Sequence, residues 1–395
     1  MRPFLGVLTT VLLYLAGGAM ASRQAAEQGI EKRLDALFAG LAPDPAPGLA
    51  VLVKADGRML FRAGYGLRNL GGREKIDART NFRLASVSKQ FTAMAAMLLV
   101  HDGKLRYDQK LTEIFPEFPA YGQTIRVRNL LDHTSGLPEY EELMDRLEQE
   151  KGPRWSPDRQ IHDDQVLQLL EAADHGKFPP GTRWEYSNSG YVLLGLIVAK
   201  CSGKPFGQFL EERIFSPLGM RRTLVFEKGK NQVPDRAYGY SKQDGSFVET
   251  DQSSTSGTEG DGGIYSNLED LGRWDDALSR HTLLSAGEFA PAITPARLPP
   301  GAEKTLALDA PASMRQLALA YGFGWFLDGN AAEPLMWHYG DTRGFKSVVL
   351  RYLAAGDTPG TAAAQRTVII LSNRNDLDPG GLALEAAGLL AAGSR

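Results

Sequence analysis

Strand-forming runs stand at opposite ends of this 395-residue chain, and mostly helical and loop-like sequence lies between them. Near the start, Gly48 to Lys54 and Arg58 to Tyr65 are short apolar runs joined by Ala55-Asp56-Gly57, a hairpin signal. Near the end, Lys346 to Leu353 and Arg366 to Ser372 are strand-like, and Trp337 to Asp341 reads as the close of an edge strand. Each set has a helix beside it. Ile30, Leu34, Leu37 and Phe38 recur at helical spacing within Ala25 to Ala39, and Gly380 to Ala392 is rich in Leu and small residues. This order predicts an α+β fold: one antiparallel sheet built from both chain ends, flanked by helices, with a mostly helical lobe inserted. The expected lobes cover roughly 22–85 with 320–395, and 86–319. Three stretches of the middle read as loops: Glu139 to Asp164, Glu227 to Asp261 and Pro295 to Met314.

Charge and cysteine usage remove several classes of function. Lys plus Arg number 44 against 47 Asp plus Glu, a net charge of −3, which fits neither a nucleic-acid binder nor a polybasic membrane protein. The one cysteine, Cys201, excludes an intramolecular disulfide and a cysteine-built metal centre. The six histidines are scattered, so the expectation is an activity without metal or cofactor.

The N-terminus reads as a secretory signal over residues 1–21. Arg2 is followed by the apolar run Phe4 to Ala16 and the small-x-small site Ala19-Met20-Ala21. That run is short of the roughly 20 residues of a spanning helix. The expectation is a mature chain that is secreted or periplasmic and not inserted in a membrane.

Three motifs carry chemistry. In Ser86-Val87-Ser88-Lys89, followed by Phe91, Met94, Met97 and Leu98 at helical spacing, Ser86 starts a helix and Lys89 lies one turn on. A serine hydroxyl needs a neighbouring base to act as a nucleophile, and a helix start offers N–H groups to a developing oxyanion. The bland alternative is a serine cap beside a solvated lysine. Tyr186-Ser187-Asn188 precedes the apolar helix Tyr191 to Cys201 and supplies a phenol and an amide. The same letters recur at Tyr265-Ser266-Asn267, where Ser266 and Glu269 read as a capping box, so the first copy is the catalytic candidate. Third is Trp337-His338-Tyr339-Gly340-Asp341, whose glycine permits close backbone approach. His133-Thr134-Ser135-Gly136 is read as turn chemistry. Gly-x-Ser-x-Gly, His-Glu-x-x-His and Walker signatures are absent.

In order and spacing, Ser-x-x-Lys, Tyr-x-Asn and His-x-Gly together resemble the serine β-lactamase and penicillin-binding-protein superfamily. The similarity is greatest to class C-like relatives, among them esterases, D-aminopeptidases and D,D-carboxypeptidases. Leu130 to Pro138, Pro180 to Asn188, Gly262 to Ser266 and Tyr321 to Trp325 also look like segments of that family. The resemblance implies a β-lactamase/transpeptidase-like fold and an acyl-enzyme on Ser86, with Lys89 and Tyr186 moving the proton. It implies an oxyanion hole from the N–H groups of Ser86 and Asp341, and substrate contacts from Asn188, His338 and Gly340. His338 stands where many β-lactamases have lysine, and Asp341 where a small neutral residue is usual. Both departures weigh against a substrate carboxylate at this place, so the expected substrates are small-molecule carboxylic esters or peptide-like amides. The alternatives are a true β-lactamase or D,D-carboxypeptidase, and a non-hydrolytic penicillin-sensing or binding protein that is acylated slowly or not at all.

Overall fold

The computed structural model describes residues 27–305, 311–315, 317, 320–328, 333–353 and 365–392. The proposed signal segment and part of Pro295 to Met314 lie outside them.

The two chain ends meet in one sheet. Its seven strands are β1 (Leu49–Ala55), β2 (Arg58–Tyr65), β3 (Ala320–Tyr321), β4 (Phe326–Asp328), β5 (Leu335–Thr342), β6 (Phe345–Tyr352) and β7 (Arg366–Ser372), in the order β3-β4-β5-β6-β7-β1-β2. Every neighbouring pair is antiparallel. The first strand of the N-terminal hairpin pairs with the last strand of the chain, Leu49 opposite Ser372. β1, β6 and β7 are buried along almost their whole length, which explains their continuous apolar character. Helices α1 (27–38) and α5 (Pro379–Ala392) pack on one face, through Leu34, Phe38, Ala383, Ala387 and Leu390.

The inserted lobe is centred on α2 (Lys89–His101) and α3 (Asn188–Ser202), and it faces the other side of the sheet. α2 is buried from Lys89 to Leu99, and from Ala93 to Leu99 its residues are apolar around the whole circumference. Each fully buried Leu or Phe here contributes about 1.5–3 kcal/mol of transfer free energy. Helix α4 (Leu268–Ser279) is pinned to the sheet by buried ion pairs: Asp275 meets Lys54 of β1 at 2.6 Å and Arg351 of β6 at 2.7 Å.

Three expectations need correction. Trp337 to Asp341 belongs to β5, an interior strand between β4 and β6 and not an edge. Its outer neighbours are only a few residues long and carry little periodic signal. Glu139 to Asp164 contains the helix Tyr140–Lys151, which buries only Tyr140 and Met144 and therefore shows almost no apolar stripe. Glu227 to Asp261 contains the hairpin Tyr240–Gln243 with Ser246–Glu249.

Candidate active site

The serine of Ser-x-x-Lys sits on a sharp strand-to-helix turn. The short strand Phe82–Arg83 pairs with Ile264–Ser266, and Leu84 N–H donates to the Ile264 carbonyl at 2.9 Å. Ala85 then takes a left-handed conformation, φ +49°, before the 3₁₀ turn Ala85–Ser88 leads into α2. A non-glycine residue there is strained, and such strain persists only where the surroundings hold it. Strand β5 does the holding. A side chain at Gly340 would place its Cβ 2.1 Å from the Leu84 carbonyl oxygen, so only glycine lets β5 lie against this turn.

Lys89 follows one turn on and is fully buried. Its Nζ lies 3.0 Å from Ser86 Oγ, 2.8 Å from Asn188 Oδ1 and 3.0 Å from the Asp261 carbonyl oxygen. Asn188 Oδ1 and the Asp261 carbonyl can only accept, so they fix two N–H bonds of the amine. Ser86 Oγ can donate or accept. A proton can therefore pass between Ser86 and Lys89 while the other two bonds stay in place.

Tyr186 closes this group from the side, its ring centroid 4.9 Å from Lys89 Nζ. The ring stacks on Phe326 and lies beside His133 and His338, with centroids 4.4 and 6.2 Å away. The next residue, Ser187, caps α3 by accepting from Gly190 N–H at 3.1 Å. With the cap at Ser187, Asn188 becomes the first helical residue and its amide reaches Lys89.

Both histidines are buried and neutral. Ser187 N–H donates to His133 Nδ1 at 3.1 Å, and burial together with Lys89 holds its pKa well below the usual value. His133 sits in a turn at φ +59°, the role expected for its motif. His338 Nδ1 donates to the Tyr339 carbonyl at 2.7 Å, and Tyr321 O–H donates to Nε2 at 2.9 Å. Burial, with Lys89 nearby, lowers the His338 pKa to about 3.

His338 is thus not the substrate contact expected from sequence. Its imidazole is fully enclosed, with both nitrogens engaged, and it backs the wall behind Tyr186. Asp341 does line the cleft above Ser86, together with Asn188, Tyr140, Asp261 and Thr342. Its charge is less isolated than sequence implied, because Lys346 Nζ lies 3.3 Å from Asp341 Oδ2.

The second Tyr-Ser-Asn copy is elsewhere. Tyr265 accepts from Arg236 at 3.2 Å, Ser266 bonds Thr223 at 2.7 Å, and Asn267 caps α4 by accepting from Asp270 N–H at 3.0 Å. The helix does start here, but the cap is Asn267 and not Ser266.

Three groups escaped sequence reading. Glu139 Oε2 accepts from Asn188 N–H at 2.9 Å and Ser189 N–H at 3.4 Å, bracing the first turn of α3. Burial pushes its carboxyl up to about 7. Tyr140 donates from its hydroxyl to Asp261 Oδ2 at 3.3 Å, and Asp261 holds Lys89 through its backbone. A backbone acceptor leaves no mark in sequence. Glu139 directly follows Leu130 to Pro138, and nothing in its spacing separates it from the surface acids after it.

An interior antiparallel sheet on a helical lobe, with a serine, lysine, tyrosine and asparagine gathered between them, defines the serine β-lactamase and penicillin-binding-protein superfamily. Within it the chain belongs to the β-lactamase family, whose profile matches residues 34–393. It is 30% identical over 363 residues to penicillin-binding protein 4* of Bacillus subtilis, covering 89% of this chain and 73% of that one. A match to the putative penicillin-binding protein PbpX of the same organism is 30% identical, covering 63% of this chain and 59% of the longer relative. Among solved structures, the D-amino acid amidase of Ochrobactrum anthropi superposes with a TM-score of 0.69 at 26% identity, covering 94% of this chain and 98% of that one.

Proposed function

We propose that this protein is a serine hydrolase that works through an acyl-enzyme on carboxylic esters or small peptide-like amides. The observation that carries the reading is the buried Lys89 Nζ at 3.0 Å from Ser86 Oγ, oriented by two acceptor-only partners. In this reading Ser86 attacks the substrate carbonyl as its proton passes to the Lys89–Tyr186 pair. The N–H groups of Ser86 and Asp341 take the oxyanion, and the pair returns the proton to the leaving alcohol or amine. Water then attacks the acyl group by the reverse route and frees Ser86. Asn188 orients Lys89 and faces the substrate. The named activity of the amidase relative supports the amide arm.

Hydrolysis of β-lactams or D,D-peptides is the second reading, favoured by one observation. The Lys346–Asp341 pair lessens the like-charge penalty that a substrate carboxylate would meet beside Asp341. A purified-enzyme screen of neutral aryl esters, D-aminoacyl amides and nitrocefin ranks the two. Turnover of esters or D-aminoacyl amides above nitrocefin supports the first reading, and the reverse order supports the second. Acylation of Ser86 without release would overturn both in favour of a sensor. We further propose export through the apolar Phe4 to Ala16 and cleavage after Ala21. Mature protein beginning at Ser22 is the expected result of N-terminal sequencing.

A further inference from the structure

Asp341 and Thr342 line the nucleophile cleft and also a wider cavity of about 630 Å³ next to it. The walls of this cavity are polar, and they include the cations Lys242, Arg343 and Lys346. Two of these are already committed. Lys346 pairs with Asp341 at 3.3 Å, and Lys242 lies 3.6 Å from Asp376. Arg343 is exposed and has no ion pair or hydrogen bond among the described residues.

Its place is nevertheless fixed. Arg343 and Gly344 form the turn between β5 and β6, with Thr342 opposite Phe345. Gly344 has φ +74°, and a Cβ there would lie 2.5 Å from the Gly239 backbone. The Gly344 carbonyl accepts from Tyr240 N–H at 3.3 Å. A turn clamped this closely presents a free guanidinium, whose forked donors match a carboxylate.

Strand β5 also gives the direction. Its His338 end abuts Tyr186, and its other end runs through Thr342 to Arg343. A substrate whose carbonyl oxygen meets Asp341 N–H has its leaving group toward Tyr186, which returns the proton. The acyl chain then points along the strand toward Arg343. From Asp341, across the last strand residue Thr342 to Arg343 at the start of the turn, the chain spans at most about 7 Å, roughly the length of a six-carbon diacid.

We propose that the cavity is the acyl-side subsite of the reaction above and that Arg343 selects acyl groups ending in a carboxylate, as a specificity-determining residue. This inference rests on acylation of Ser86. The test compares the 4-methylumbelliferyl monoester of adipic acid with the neutral hexanoate, in wild type, Arg343→Gln, Arg343→Lys and Ser86→Ala. Loss of both activities in Ser86→Ala upholds the underlying reading, whatever the ratio between the esters. The expected ratio of kcat/KM, adipate over hexanoate, is at least about tenfold in wild type, carried by KM and falling as salt rises. It should drop to about one in Arg343→Gln and be partly kept in Arg343→Lys, as expected when a forked contact becomes a point charge. Equal ratios in wild type and Arg343→Gln would overturn the proposal. So would the same Arg343 dependence for a carboxylate carried on the leaving group.

Discussion

Tyr186-Ser187-Asn188 and Tyr265-Ser266-Asn267 share three letters, and both lead into a helix, but the helices start one residue apart within the motif. In the first copy the serine is the cap, which makes Asn188 helical and turns its amide onto Lys89. In the second the asparagine is the cap, so its side chain is consumed by Asp270 N–H and Asn81. The tyrosines differ in the same way. Tyr186 stands against Lys89 and two neutral histidines, whereas Tyr265 stands against Arg236. A one-residue choice of cap separates a site from a structural joint, and the three letters do not carry that choice.

The neutral histidines give the largest expected effect. His338 has a pKa of about 3 in the fold, lowered by burial and Lys89, against an ordinary value near 6.5. The unfolded chain therefore binds the additional proton between these values, and stability is full above about pH 6.5 and is lost as pH falls toward about 3. The whole contribution is on the order of 5 kcal/mol. Chemical unfolding across this range should show a shallower acid loss for His338→Gln than for the wild type. An unchanged slope would mean that acid acts elsewhere, and would remove this distinction between the surroundings of the two tyrosines.

Next come the tyrosines themselves. Tyr186→Phe should lower kcat by at least about a hundredfold, the scale of a lost proton-transfer group. Tyr265→Phe should leave kcat near wild type and cost about 1 kcal/mol through the Arg236 bond. Steady-state kinetics with thermal unfolding of both variants reads the contrast, and a reversed pattern would mean the second copy is the site.

The asparagines should divide similarly. Asn267→Ala removes a cap and leaves buried Asn81 short of a partner, so a loss of about 2–3 kcal/mol is expected with activity per folded molecule kept. Asn188→Ala should mainly reduce kcat. The smallest effect belongs to the serines. Ser187→Ala should cost about 1 kcal/mol by uncapping α3. A comparable loss in Ser266→Ala would have to come from the Thr223 bond, and the double variant Thr223→Val with Ser266→Ala would expose it as non-additive.

Much of the architecture was legible because β1, β7, α1 and α5 have strong apolar runs or periodicity. The strand order was not, since nothing in Leu49 or Ser372 alone says that they will face each other. Of the candidate site, Ser86, Lys89, Tyr186 and Asn188 come together as expected. His338 was misjudged because position in a motif says nothing about which face of β5 it takes or what covers it. Glu139, Tyr140 and Asp261 were missed because their contribution lies in tertiary contacts and, for Asp261, in a backbone carbonyl.

The central claim is that Ser86 is the group acylated. Incubating the protein with a fluorophosphonate and mapping the adduct by peptide mass spectrometry tests it directly. One modified peptide is expected, with the label on Ser86 and no labelling in Ser86→Ala. A label on any other serine, or equal labelling of the Ser86→Ala variant, would contradict it.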